Sequence, residues 1–344
     1  MKSTELLENR KVTPELRSVF WAKLSRPNEP PGYHPLVAHS ADVAAVLRRL
    51  LQPDSIIAKR LARASDSDCL SPELVSRLVF VAALHDLGKV NHSFQDQWHR
   101  PSSKRSIGHV KVVLESLKVQ RPALGEEWKT LLQALGSWKA KEAHALLCTA
   151  ICHHGRPWDP PASAHYDVWL PRGDRDPLAK LRELTTRARS WSTLESTSGA
   201  SLPLLPPLFL HIFAGVLTLA DWIGSTRVAF PFEPWADHDP DRYWELAIER
   251  AERACSTIGL TPRTRIVSSG GIPLMGIPLL ETIFPAIFAD RSHERNPPAP
   301  TPLQAYVASM ELPPPGSRIL IESETGSGKT EAALALYARL RAAG

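Results

Sequence analysis

Apolar residues return at the spacing of a helix with one inward face over most of this chain, broken at intervals by proline and polar clusters. The pattern predicts helices over about 14–24, 40–51, 72–87, 108–118, 127–137, 140–153, 177–190, 208–223 and 241–257. Two of the starts carry explicit signals. Thr13-Pro14-Glu15 and Ser71-Pro72-Glu73 each set a capping hydroxyl before a proline at the first helical position, where a missing N–H leaves nothing unsatisfied. Asp290 to Pro302 is polar and proline-rich, so it reads as a linker. Beyond it, Ser317-Arg318-Ile319-Leu320-Ile321-Glu322 predicts a short buried strand, and Lys329 to Arg341 predicts an amphipathic helix. A strand–loop–helix unit normally belongs to a parallel sheet. The expectation is therefore a mainly α chain with a helical domain over 1–258, a linker and entry region over 259–315, and an incomplete α/β segment over 316–344.

Composition narrows this picture modestly. With 344 residues, 43% of them hydrophobic, the chain can bury a sizeable core, and its thirty-one prolines punctuate helices instead of forming one tract. A net charge of +5 permits an anionic partner without requiring one. Cys69, Cys148, Cys152 and Cys255 form no C-x-x-C pair, which argues against a disulfide framework or a zinc ribbon and suits a reducing compartment. Met1 to Arg10 lacks the apolar core of a signal peptide, so a cytoplasmic protein is expected. The most apolar run, Leu208 to Ala220, is shorter than the roughly 20 residues of a membrane helix. It reads as a buried core helix, and no membrane partner is expected.

The candidate chemistry lies where apolar helices end in imidazole and carboxylate. Leu78 to Leu84 leads into His85-Asp86-Leu87-Gly88-Lys89. Buried unpaired, those polar groups would be costly, so they pair or hold a cation. A helix end capped by Gly88, with His85 in the core, is the structural alternative. Ala143 to Cys152 leads likewise into His153-His154-Gly155, and Leu208 to Ala220 into Asp221. His39-Ser40-Ala41-Asp42 opens a further apolar helix, where Asp42 can complement the helix N-terminus. Four polar endings on four helices suggest one cavity. Imidazole and carboxylate without thiolate suit manganese, iron, cobalt or nickel, and Cys152 reads as core.

These residues resemble the HD phosphohydrolase superfamily, and specifically the nuclease domain of the CRISPR-associated helicase-nucleases of type I systems. The resemblance rests on Trp21-Ala22-Lys23, His34-Pro35-Leu36 with His39-Ser40 and Asp42-Val43, His85-Asp86 with Gly88-Lys89 and Phe94-Gln95, His153-His154-Gly155, and Asp221-Trp222 with Gly224-Ser225. It implies a helical HD domain with two divalent transition-metal ions. Asp86 would bridge them, with His39, His85 and Asp221 completing one site and His109, His153 and His154 the other. His92 and His99 compete with His109 for its place. Lys89, three residues after Asp86, can share its helical face and approach a substrate phosphate, or simply be a helix-end cation. Arg100, Lys104, Arg105 and Arg156 could track a DNA backbone, with Trp98 or Trp158 for stacking.

Ser323 to Thr330 follows the predicted strand and opens a helix, the setting of a phosphate-binding loop. Gly326 and Gly328 let backbone amides approach phosphates, Lys329 supplies a cation and Thr330 a magnesium ligand. Ser323 replaces the usual first glycine, as in many superfamily 2 helicases, and Thr301-Pro302-Leu303-Gln304 resembles their adenine-reading glutamine motif. The segment thus looks like the start of a RecA-like helicase domain that uses Mg-ATP when complete, and no ATP turnover is expected from this chain alone.

The function implied is metal-dependent cleavage of single-stranded DNA, by a monomer acting with an RNA-guided CRISPR surveillance complex. Hydrolysis of small nucleotides by the same metals is one alternative. A non-catalytic recruitment or ATP-binding module is the other.

Overall fold

The computed structural model describes residues 18–25, 29–30, 32–99, 108–118, 122–135, 140–155, 166–194, 204–260, 275–284, 299–314 and 317–343. It divides into two compact units, Met1–Arg263 and Thr264–Gly344.

In the first unit a short antiparallel pair, β1 (Trp21–Leu24) and β2 (Tyr33–Pro35), precedes the helices. This corrects the helix predicted over 14–24, whose first residues lie outside the described set. Local periodicity could not register the partner strand. Trp21 is also held by a residue 74 positions away: its N–H donates to Gln95 Oε1 (3.1 Å), and Gln95 Nε2 returns to its carbonyl (2.8 Å).

The helices of this unit are α1 (Leu36–Leu50), α2 (Ile56–Arg63), α3 (Pro72–Ala83), α4 (His92–Gln95), α5 (His109–Lys118), α6 (Pro122–Ala134), α7 (Ala140–Ile151), α8 (Pro177–Trp191), α9 (Pro207–Gly224) and α10 (Pro240–Thr257). Sequence signals set several of the boundaries. Ser71 caps α3 through Leu74 N–H, Asp176 caps α8 through Leu178 and Ala179 N–H, and Asp239 caps α10 through Arg242 N–H. α1 has no side-chain cap. Its first N–H instead donates to the Phe20 carbonyl (2.7 Å), so the strand pair fixes where the helix begins.

α1 is the central helix, packed against α3, α9 and α10 and buried nearly all round. Its Leu36, Val43, Leu47 and Leu50 join one continuous core, each contributing about 1.5–3 kcal/mol through burial. The end of α9 comes very close: a Cβ on Gly224 would lie 3.2 Å from the Val43 backbone nitrogen.

Two further predictions need correction. α3 stops at Ala83 and passes into a 3-10 turn, Leu87–Val90, instead of continuing to residue 87. Side-chain amides satisfy that turn, Asn91 Nδ2 donating to the Gly88 carbonyl (2.5 Å) and Gln95 Nε2 to that of Lys89 (2.8 Å). α9 is a core helix on one face only. Phe209, Phe213, Leu217 and Ala220 are buried, while Leu208 and Trp222 are 60% and 67% exposed. By length and composition it could cross a membrane, but here it packs on α1 and carries a site residue.

The second unit contains α11 (Ile277–Ile283), α12 (Pro302–Ser309) and α13 (Lys329–Ala343). The strand predicted at 317–322 is absent: those residues have no regular structure and no strand partner among the described residues, with Ile319 and Leu320 42% and 82% exposed. An isolated strand has no ladder to satisfy its backbone, so the apolar run alone does not make one.

Candidate metal centre

Five segments of the first unit deliver polar side chains to one place. α1 brings His39, the turn after α3 brings His85 and Asp86, α5 opens with His109, the turn after α7 brings His153 and His154, and the last turn of α9 brings Asp221. His39 Nε2 lies 3.2 Å from both Asp86 Oδ2 and Asp221 Oδ1. His85 Nε2 is 3.3 Å from Asp86 Oδ2, and His109 Nε2 is 3.3 Å from Asp86 Oδ1. His153 Nε2 is 3.8 Å from Asp221 Oδ2, and its ring centre is 3.9 Å from that of His154.

The glycine of the His85-Asp86-Leu87-Gly88 run explains how α5 reaches the cluster. A Cβ on Gly88 would lie 2.2 Å from the His109 carbonyl oxygen and 2.7 Å from Val113 Cγ2, so only glycine allows the turn to pack this close to α5. Of the three histidines competing for that place, His109 is the one beside Asp86. His92 is engaged elsewhere, donating from Nε2 to the Leu170 carbonyl (2.8 Å), and the His99 side chain lies outside the described residues.

The seven residues fall into overlapping groups. His39, His85 and Asp221 form one; Asp86, His109 and His154 form another. His153 joins His85 and Asp86, or His154 and Asp221, but does not share a group with His109 among the described residues. Of the two partners the sequence expectation gave His153, it shares a group with His154.

Electrostatics keep both carboxylates charged and favour the neutral form of His39, His153 and His154. Burial alone would raise the Asp86 carboxyl, yet Lys89, His85, His109 and His39 hold it well below the usual carboxylate range. Burial opposes the ionised form of Asp221 as well, and His39, His85 and Lys23 overcome it. Desolvation pushes His153 down to about 3 and lowers His39 and His154. His85 and His153 each donate from Nδ1 to the carbonyl three residues back, Ala82 (2.7 Å) and Ala150 (2.8 Å), which leaves Nε2 as a lone pair facing inward.

Those inward atoms have no hydrogen-bond partner. His39 Nε2, His85 Nε2, Asp86 Oδ1, His109 Nε2 and His153 Nε2 are all buried and unsatisfied among the described residues, although they lie close to one another. Leaving such a set unpaired would cost on the order of 1–3 kcal/mol per group, and a divalent cation satisfies it. The donor set therefore fits metal ions.

Sequence reasoning named Lys89 and missed other participants. Lys89 reaches Asp86 Oδ2 (2.6 Å), but from the 3-10 turn and not along a shared helical face. Lys23, quoted in a motif without a role, stands 3.9 Å from Asp221 Oδ1 and donates to Ser225 Oγ, which donates in turn to Asp221 (3.0 Å). The i,i+4 spacing of Asp221 and Ser225 was the available signal. Asp42 does not complement a helix N-terminus: it is buried, pairs with His34 Nε2 (2.7 Å) and accepts from Tyr243 OH (2.9 Å). Cys152 is buried in the apolar core. Arg100, Lys104, Arg105, Arg156, Trp158 and the side chain of Trp98 lie outside the described residues.

In the second unit the phosphate-loop residues are also together. Gly326 and Gly328 adopt φ of 83° and 79°, which L side chains rarely take. Lys329 Nζ donates to the Ser323 and Glu324 carbonyls (2.8 and 2.6 Å), and Thr330 follows in the first turn of α13. Gln304 forms a capping box with Thr301 and donates to the Gly328 carbonyl (3.4 Å).

Comparison with known proteins gives matches of family and of fold. The family model described as "Cas3, HD domain" matches residues 21–230. The CRISPR-associated endonuclease/helicase Cas3 of Thermus thermophilus is 28% identical over 345 residues, which covers 95% of this chain and 33% of that protein. The Escherichia coli K12 protein of the same description is 27% identical over 348 residues, covering 92% and 36%. A solved structure described as a CRISPR-associated protein superposes with a TM-score of 0.53 at 23% identity, over 95% of this chain and 35% of its own. T. fusca Cas3-ATP gives a TM-score of 0.50 at 20% identity, over 94% and 34%. The chain spans about a third of the length of the curated relatives it matches.

Proposed function

The chain belongs to the Cas3 HD-domain family, and from that premise we propose that it is a divalent-metal-dependent nuclease that cuts single-stranded DNA. The convergence of five segments on buried, unsatisfied Nε2 and carboxylate oxygens carries the reading. We assign His39, His85 and Asp221 to one cation, His109 and His154 with His153 to a second, and Asp86 to both. Asp86 suits that role because Oδ1 faces His109 while Oδ2 faces His39 and His85.

Paired divalent cations, when bound, supply an activated water and stabilise the leaving oxygen of a phosphodiester. The protein's own part is to aim His85 and His153 through the Ala82 and Ala150 carbonyls and to keep Asp86 and Asp221 ionised. Lys89 and Lys23 bring positive charge beside the two carboxylates, and we place Lys89 at the substrate phosphate. Manganese, iron, cobalt and nickel are the candidate metals.

In a longer protein of the kind the relatives represent, Gly326, Gly328, Lys329, Thr330 and Gln304 would form part of a Mg-ATP site. The relatives' printed names support a role in CRISPR interference, and we extend this to action on DNA opened by an RNA-guided surveillance complex, by a cytoplasmic monomer. The decisive assay offers circular single-stranded DNA and small nucleotides to chain loaded with manganese, nickel or cobalt. DNA cleavage lost on Asp86→Ala supports the reading. Turnover of nucleotides alone, or cleavage retained by Asp86→Ala, overturns it.

A further inference from the structure

Behind His39 lies a second buried polar network that the catalytic reading leaves unused. His34, on β2, pairs through Nε2 with Asp42 Oδ2 (2.7 Å), and Tyr243 OH donates to the other oxygen of Asp42 (2.9 Å). Arg250 Nη1 reaches Tyr243 OH (3.4 Å) and its Nη2 bonds Glu233 (2.7 Å). The His34 ring is stacked on Phe232 (5.4 Å, 7°) and set edgewise to Tyr243, so it cannot turn freely.

Two atoms of this region remain unsatisfied among the described residues: His34 Nδ1 and His39 Nδ1, both buried. Their chemistry is complementary. Beside the Asp42 carboxylate, His34 Nε2 carries the proton, which makes His34 Nδ1 a bare acceptor. For His39 to present a lone pair from Nε2, its own proton must sit on Nδ1, and that N–H needs an acceptor. The ring centres are 6.4 Å apart at 63°. With each nitrogen about 1 Å from its ring centre, the two lie beyond the roughly 3 Å of a direct hydrogen bond. A buried water bonded to both would satisfy two groups otherwise left without a partner, as buried waters do.

We propose that His34, held by Asp42 and Tyr243, is a positioning residue that accepts from His39 Nδ1–H through a single buried water and so fixes the tautomer with which His39 binds a cation. The proposal rests on the metal-site reading above. His85 and His153 obtain the same service from backbone carbonyls of their own helices. Among the described residues His39 has no such carbonyl partner, and it draws on a side chain from another element.

Two substitutions separate positioning from mere support of Asp42. His34→Asn keeps an acceptor near the Nδ1 position and gives up the Asp42 pair; His34→Gln can still donate to Asp42 but offers His39 nothing. Cobalt(II) titration of the full chain, followed by its visible absorption spectrum, is run alongside melting of the metal-free protein. His34→Gln should lose about 10–100-fold in affinity for one cobalt and change its absorption bands, as expected for loss of an outer partner. His34→Asn should stay within a few-fold of wild type whatever its melting temperature does. Cobalt bound by His34→Gln as tightly as by wild type, or affinity that simply tracks melting temperature in both variants, overturns the proposal alone. A wild-type chain that takes up no cobalt overturns the metal-site reading and this one with it.

Discussion

Replacing Gly88 by alanine tests whether close packing of one turn against α5 assembles half of the metal centre. The added Cβ would sit 2.2 Å from the His109 carbonyl oxygen, 2.9 Å from its carbonyl carbon and 2.7 Å from Val113 Cγ2. Two of these three atoms are backbone, so no rotamer change relieves the clash. Since non-bonded carbon contacts settle at about 3.5 Å, α5 or the turn must move by roughly 1 Å. Overpacking of this kind costs about 1–3 kcal/mol. Either movement draws His109 away from Asp86, now 3.3 Å from it, while His39 and Asp221, on other elements, keep their places. The expected result is one tightly bound cobalt or manganese where the parent binds two, with cleavage of circular single-stranded DNA down about 100-fold, the usual effect of a 1 Å misplacement. Stoichiometry from metal analysis and rates from gel assays give the answer. A Gly88→Ala protein that binds two metals and cuts at the parental rate refutes the argument from close packing.

Gln95→Leu should lower stability by on the order of 3 kcal/mol, because the Trp21 N–H and the Trp21 and Lys89 carbonyls lose their partner in a buried setting; urea unfolding measures it, and an unchanged midpoint counts against the link between β1 and the turn. The metal-free protein should lose stability as pH falls from about 6.5 toward 3. His153 takes up a proton in the unfolded chain near 6.5 but in the folded chain only near 3, so acid favours unfolding; a flat urea midpoint between pH 7 and 5 contradicts this. Asp86→Ala leaves the buried Lys89 ammonium without its carboxylate and should destabilise the metal-free fold by about 3–5 kcal/mol, seen as a clear drop in melting temperature. Lys329→Ala should weaken binding of a fluorescent ATP analogue at least tenfold, with no change in DNA cleavage by the first unit.

The long helices were legible because their signals are local. Asp176-Pro177 and Asp239-Pro240 start α8 and α10 where the sequence places them, and the apolar period carries each to its end. The ligands were legible for a related reason: an imidazole or carboxylate closing an apolar helix is conspicuous within ten residues. What escaped depends on distant partners. Trp21–Leu24 is a strand because Tyr33–Pro35 and Gln95 bind it, and nothing within the run says so. Residues 317–322 have the composition of a strand and no neighbour to pair with among the described residues. The partnership of Asp42 with Tyr243 joins positions 201 residues apart and has no local mark in either segment. The place of His109 was ambiguous against His92 until the Gly88 contact singled it out.

The contact of Gly224 with Val43 has a bearing on biosynthesis. α1 leaves the ribosome early with His39, but its companion Asp221 emerges only after nearly all of the first unit has been translated. A nascent chain cannot bring Asp221 to His39 until α9 docks, so a translation product halted before that helix carries six of the seven converging side chains and lacks the second carboxylate.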